Sequence, residues 1–157
     1  MTRFSILSFV LAAALPFCAQ AADVTAEKPH TFAQKLVDQE LAKHPDIVIL
    51  VFHVVNKDGS DYPIVASNIG RYGKKADEDD LRVIHTSKPN LEVNAAGNRF
   101  EVEMALHDTS KKVLGAIAVV YNYKNGDNKE ELHKKAEMVR AEVEKQITTV
   151  DKLNGPA

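Results

Sequence analysis

Two stretches of this chain, Ile47 to Val55 and Val113 to Tyr123, are apolar on both alternating sides and rich in β-branched residues. A strand that buries both faces belongs in the middle of a sheet, so the rest of the chain has to supply its neighbours and its covering layers. Asn56-Lys57-Asp58-Gly59 provides turn chemistry after the first stretch, and Tyr62 to Ile69 reads as its hairpin partner. Leu91 to Asn94 reads as a short strand and Ala96-Gly97-Asn98 as a turn. Arg99 to His107 then alternates, with Phe100, Val102, Met104 and Leu106 on one side and Arg99, Glu101, Glu103 and His107 on the other.

Helices are predicted at both ends of this set. Thr31-Phe32-Ala33-Gln34 has the form of a capping box, Phe32, Leu36, Val37 and Leu41 recur on one helical stripe, and His44-Pro45 ends it. Asp127 with Glu130 forms a second expected cap, followed by the stripe Leu132, Ala136, Val139, Val143, Ile147 and Val150 in a single long helix. Residues 70 to 90 are polar, glycine-punctuated and helical only weakly around Asp77 to Ile84. The predicted order is helix, two strands, crossover, three strands, helix. Short turns between strands imply a five-stranded, mostly antiparallel sheet of the α+β class, its N- and C-terminal helices on one face and the crossover over the other.

Residues 1–21 carry the three parts of a cleavable secretory signal: Arg3, an apolar run from Phe4 to Phe17, and Ala19-Gln20-Ala21. The run is shorter than the roughly 20 residues a spanning helix needs, so cleavage after about Ala21 is expected rather than anchoring. The expected division is then a flexible lead at 22–30, one domain at 31–151 and a frayed tail at 152–157, in the periplasm or secreted, without membrane insertion after cleavage. Cys18 is the only cysteine, and it departs with the leader, so neither disulfides nor a thiolate metal site are expected. The 20 basic and 22 acidic residues give no basic excess that would favour nucleic acid or an anionic membrane.

At the level of order and spacing, the chain resembles the Cache (PDC) sensor domains, extracytoplasmic relatives of PAS domains. The markers are Pro63-Ile64-Val65-Ala66-Ser67-Asn68, then Arg71-Tyr72-Gly73-Lys74 and Asp80-Leu81, then Phe100 to Asp108, then Val113-Leu114-Gly115-Ala116-Ile117. The resemblance implies a PAS-like fold with a small-molecule pocket beneath the crossover. Family members are usually the input halves of membrane receptors, kinases or cyclases. Here no membrane helix or output domain is expected after Ile147, so a membrane-bound receptor or kinase would be a separate partner.

Ser67, Asn68, Arg71, Tyr72 and Lys74 are the leading ligand-binding candidates, because Arg71 is suited to bidentate grip on a carboxylate and Tyr72 to an apolar wall. His53, on the strand face of Ile49 and Val51, needs a partner if buried and is a further candidate. Tyr121 and Tyr123 share a face and could flank a ligand or pack in the core. Glu101 and Glu103 are expected on a wetted sheet face, although one could meet a cationic ligand or His53. The six histidines include no His-x-His or His-Glu-x-x-His pair, so a metal site could only be assembled in space. No catalytic motif is present, and no cofactor is expected. The leading expectation is an exported module that binds a small polar metabolite and presents it to a membrane partner. The alternatives are a ligand-free interaction domain with a filled sheet face, and an enzyme or haem-handling protein.

Overall fold

The computed structural model describes residues 27–157; the expected signal peptide and the first part of the lead lie outside the described residues. The elements run α1 (Phe32–Lys43), β1 (Ile47–Val54), β2 (Ile64–Ser67), α2 (Glu78–Thr86), β3 (Asn90–Val93), β4 (Arg99–His107), β5 (Val113–Asn122), α3 (Lys129–Glu144) and α4 (Val150–Asn154). The five strands form one sheet in the order β2-β1-β5-β4-β3, antiparallel throughout. The two strands apolar on both sides, β1 and β5, are therefore central and adjacent, as expected from their composition. Among the described residues no helix is long and apolar enough to cross a membrane.

Strand alternation separates two unlike faces. Toward α1, α3 and α4 point Leu50, Phe52 and Val54 of β1, Phe100, Val102, Met104 and Leu106 of β4, and Leu114, Ile117, Val119 and Tyr121 of β5, all in the main core. Full burial of side chains this size contributes about 2–3 kcal/mol each. The opposite side of β5 carries small residues, Ala116 and Ala118, and this leaves room for α2 to settle with Val83 and Ile84 on Ala116. β5 also approaches β1 closely: a Cβ on Gly115 would overlap the His53 carbonyl, so this position has no space for a side chain.

Several local expectations are corrected. Thr31 does cap α1, accepting from the Gln34 backbone N–H, but the Gln34 side chain leaves the box to bind Ser67 and Asp38. The cap of α3 is Asn128, which accepts from Glu131 N–H, while Asp127 closes its own turn by accepting from Lys124 N–H. The C-terminal helix is interrupted after Glu144 because Thr149 caps a new helix, α4. The tail is not frayed. Leu153 is fully buried, Phe32 N–H donates to the Gly155 carbonyl at 2.8 Å, and Pro156 bridges to Thr31.

Candidate functional site

α2 covers only part of the second sheet face, and beside it a cavity of about 240 Å³ remains. Its floor is apolar, formed by Ile49, Val51, Ile64, Ala118 and Val120. Arg71 and Lys74 come from the loop after β2, Asp77 and Asp80 from the start of α2, Glu101 from β4 and His53 from β1. Ile49, Glu101 and Val120 also line an adjoining hollow of about 200 Å³ that extends toward Glu92, Asn94 and Arg99. Together they make a trough across the sheet. A larger hollow of about 400 Å³ lies at the end of the molecule between residues 55–57 and α4, with Lys57 and Asp151 as its only charged lining residues.

The polar end of the trough is a linked set. His53 Nδ1 lies 2.8 Å from the Tyr62 carbonyl, which only accepts, so Nδ1 carries the hydrogen and Nε2 faces Asp80 Oδ2 at 3.6 Å. Asp80 accepts from the Asp77 backbone N–H while Asp77 accepts from the Asp80 N–H, a reciprocal capping box that starts α2. Behind it is Glu103, 4% exposed, whose carboxyl is pushed up to about 9 by burial, by its hydrogen bond with Asp80 and by the neighbouring negative charges. It is therefore protonated at neutral pH with Asp80 as its hydrogen-bond partner, while among the described residues its Oε1 has none. Burial and the charges of Glu92 and Asp80 also raise the Glu101 carboxyl.

Arg71 and Lys74 sit on a tight loop pinned to the outer edge of β2. Ile64 N–H donates to the Lys74 carbonyl, and Gly73 N–H donates back to the Ile64 carbonyl. The path needs left-handed backbone at Gly70 and Gly73, and also at Arg71, where φ is 63°. A non-glycine residue in that region carries roughly 1–2 kcal/mol of strain. Among the described residues Arg71 has no ion-pair partner, whereas Lys74 reaches Asp77 at 3.4 Å.

Of the residues singled out from the sequence, the trough brings together His53, Arg71 and Lys74. Ser67, Asn68 and Tyr72 are instead used to shape the loop's base. Asn68 accepts from Leu50 N–H and donates to the Val48 carbonyl, continuing the β1–β2 ladder with a side chain. Ser67 N–H donates to Gln34, its hydroxyl accepts from Ile69 N–H, and its carbonyl accepts from the Tyr72 hydroxyl. Tyr72 also packs against the apolar floor, and burial raises its hydroxyl pKa. Tyr121 lies on the other face of the sheet, 2% exposed in the helix-side core, so alternation along β5 places it away from the trough. His107 does not stay with Glu101 and Glu103: the register shifts between Leu106 and His107, and His107 pairs with Glu144 of α3 at 2.7 Å.

Sequence reasoning missed Asp77 and Asp80 as site residues and put Glu103 on a wetted face. The Asp77-x-x-Asp80 spacing before an apolar turn was the available signal for the first two. Nothing local to β4 signals that α2 folds over Glu103.

No protein-family model matches the sequence, and no curated protein matches it. Solved structures do match at the level of fold. The GAF domain of A. aeolicus nlh2 superposes with a TM-score of 0.53 at 14% identity, over 71% of this chain and 82% of that one. The fold is PAS-like, of the GAF type. A domain from an IclR-family protein described as a transcriptional regulator gives 0.52 at 10% identity, over 80% of this chain and 97% of that one. The Agobacterium tumefaciens repressor BlcR gives 0.50 at 11% identity, over 80% of this chain and 68% of that one. These likenesses agree with the PAS-like architecture expected from the sequence and do not single out the Cache branch.

Proposed function

We propose that this domain is an exported binding module of the Cache kind. It takes a small polar molecule into the trough and signals through a separate membrane partner. The observation that carries the reading is the trough's lining: an apolar floor bordered by the cations of Arg71 and Lys74 and by the carboxylates of Asp77, Asp80 and Glu101. A small zwitterion fits that polarity, its carboxylate toward Arg71, which pairs with no carboxylate among the described residues, and its ammonium toward Glu101, whose raised pKa marks a crowded negative site that a cation relieves. A binding rather than a catalytic role is favoured because His53, Asp80 and Glu103 hold one another, the Tyr62 carbonyl and the α2 cap, leaving each a structural task. The filled sheet face expected of a ligand-free interaction domain is not what the trough presents.

Thermal-shift screening of amino acids, dicarboxylates and amines tests this. A ligand at about 100 times its Kd stabilises by about 2.7 kcal/mol, which raises Tm by roughly 10 °C for a domain of this size. Arg71→Ala and Glu101→Gln are each expected to weaken the hit at least tenfold. A panel with no shift, or a hit indifferent to both variants, overturns the reading.

A further inference from the structure

On the helix side of the sheet, away from the trough, three side chains converge between α1 and α3. Glu40 in the last turn of α1 and His44, the C-cap that ends it, stand four residues apart, and Glu142 faces them from α3. Lys43 Nζ takes the outer oxygen of each carboxylate, Glu40 Oε1 at 2.7 Å and Glu142 Oε2 at 3.1 Å. The remaining oxygens turn inward on the imidazole: Glu40 Oε2 lies 3.5 Å and Glu142 Oε1 3.7 Å from His44 Nε2. The Glu40 side chain is fully buried, and among the described residues neither its Oε2 nor His44 Nε2 has a hydrogen-bond partner. A buried polar atom left without a partner is costly, and an unpartnered carboxylate oxygen and imidazole nitrogen 3.5 Å apart call for something between them.

We propose that Glu40, His44 and Glu142 form a divalent transition-metal site, best suited to zinc, with water completing the coordination. Ligand atoms bound to zinc at about 2.0–2.1 Å in a tetrahedron lie about 3.3 Å from one another. The two spacings to His44 Nε2 are close to that value, and all three groups offer ligand atoms within 4.8 Å of each other. One imidazole and two carboxylates suit zinc, whereas magnesium and calcium prefer six or more oxygens. Lys43 holds the outer oxygens and so orients both carboxylates, as supporting groups do around metal centres. His44 and Glu142 are partly exposed, which gives an ion a way in. The bound metal would tie α1 to α3 on the face that the trough does not use.

The test is titration of EDTA-treated protein with zinc sulfate by calorimetry, with Tm measured alongside and cobalt(II) as the spectroscopic probe. The expected result is one zinc per chain, a raised Tm reversed by EDTA, and visible cobalt absorption of the tetrahedral type. His44→Ala and Glu142→Gln each remove a ligand and are expected to weaken zinc binding by more than the roughly 10–100-fold that loss of a supporting outer partner costs, and to abolish the cobalt bands. Glu142→Gln alters a side chain that is 39% exposed and keeps its shape, so it decides the matter even if His44→Ala fails to fold. No binding at about 100 µM zinc overturns the proposal, because a structural site binds far more tightly than that. Binding with the same affinity in both variants also overturns it by placing the metal on other histidines.

Discussion

The two faces of the β4–β5–β1 sheet are built from the same three strands, one residue out of step, and are put to opposite uses. On the helix side β5 presents Leu114, Ile117, Val119 and Tyr121, and β1 presents Leu50, Phe52 and Val54, all buried. On the other side β5 presents Ala116, Ala118 and Val120, β1 presents Ile49, Val51 and His53, and β4 presents two carboxylates, Glu101 and Glu103. Large side chains fill the first face and leave no space. Small and ionisable ones on the second leave a trough and load it with charge. Stability is thus concentrated on one side, which frees the other to carry groups that a packed core would reject.

The comparison breaks most visibly at Phe52. Phe52→Ala is expected to cost about 4 kcal/mol in urea unfolding, and Ile49→Ala, one face over, less than about 1.5 kcal/mol. Equal losses would mean that the second face is as tightly packed as the first. Next is Gly115→Ala, where the new Cβ must push against the His53 carbonyl. A loss of about 3 kcal/mol is expected, together with displaced His53 chemical shifts in NMR spectra. Wild-type stability there would show that the β1–β5 contact relaxes freely.

Glu103 sharpens the charge difference. Its carboxyl is raised from 4.5 to about 9 in the folded state, so the folded protein holds a proton that the unfolded chain releases. The stability linked to that proton is fully present below pH 4.5 and is lost as pH rises toward 9. Glu103→Gln keeps a donor for Asp80 and cannot ionise. It is expected to match wild type at low pH and to exceed it by a margin that widens as pH rises from 4.5 toward 8 in unfolding experiments. Parallel pH profiles for the two proteins would sink the assignment. The smallest effect belongs to Arg71→Gly, which relieves the left-handed backbone and is expected to raise stability by about 0.5–1 kcal/mol while weakening any carboxylate ligand.

Much of the helix-side face was legible in the sequence because alternation and helical spacing are local patterns. The β4 set Phe100 to Leu106 and the α1 stripe both fell where periodicity put them. The trough was legible only in part. His53, Arg71 and Lys74 were visible as polar groups beside apolar strands, but the gathering of Asp77 and Asp80 with Glu101 depends on where α2 comes to rest, and no residue in β4 encodes that. Ser67, Asn68 and Tyr72 resembled ligand donors because their hydrogen-bonding capacity is evident in the sequence and their backbone partners are not. The convergence of Glu40, His44 and Glu142 was hidden for the same reason. Glu40 and His44 are neighbours at the end of α1, but Glu142 joins them from about a hundred residues away, as α3 packs beside α1.

The closing segment has one more consequence. Ala157 N–H reaches the His30 carbonyl at 3.3 Å, and Pro156 pairs with Thr31, so the described chain ends where its first helix begins. Topologically it is almost a ring. A short glycine linker across that junction, with new ends opened at the exposed Ala96-Gly97 turn, is expected to give a circular permutant with unchanged far-UV circular dichroism. The order in which the strands are joined would then be separable from the order in which they pack.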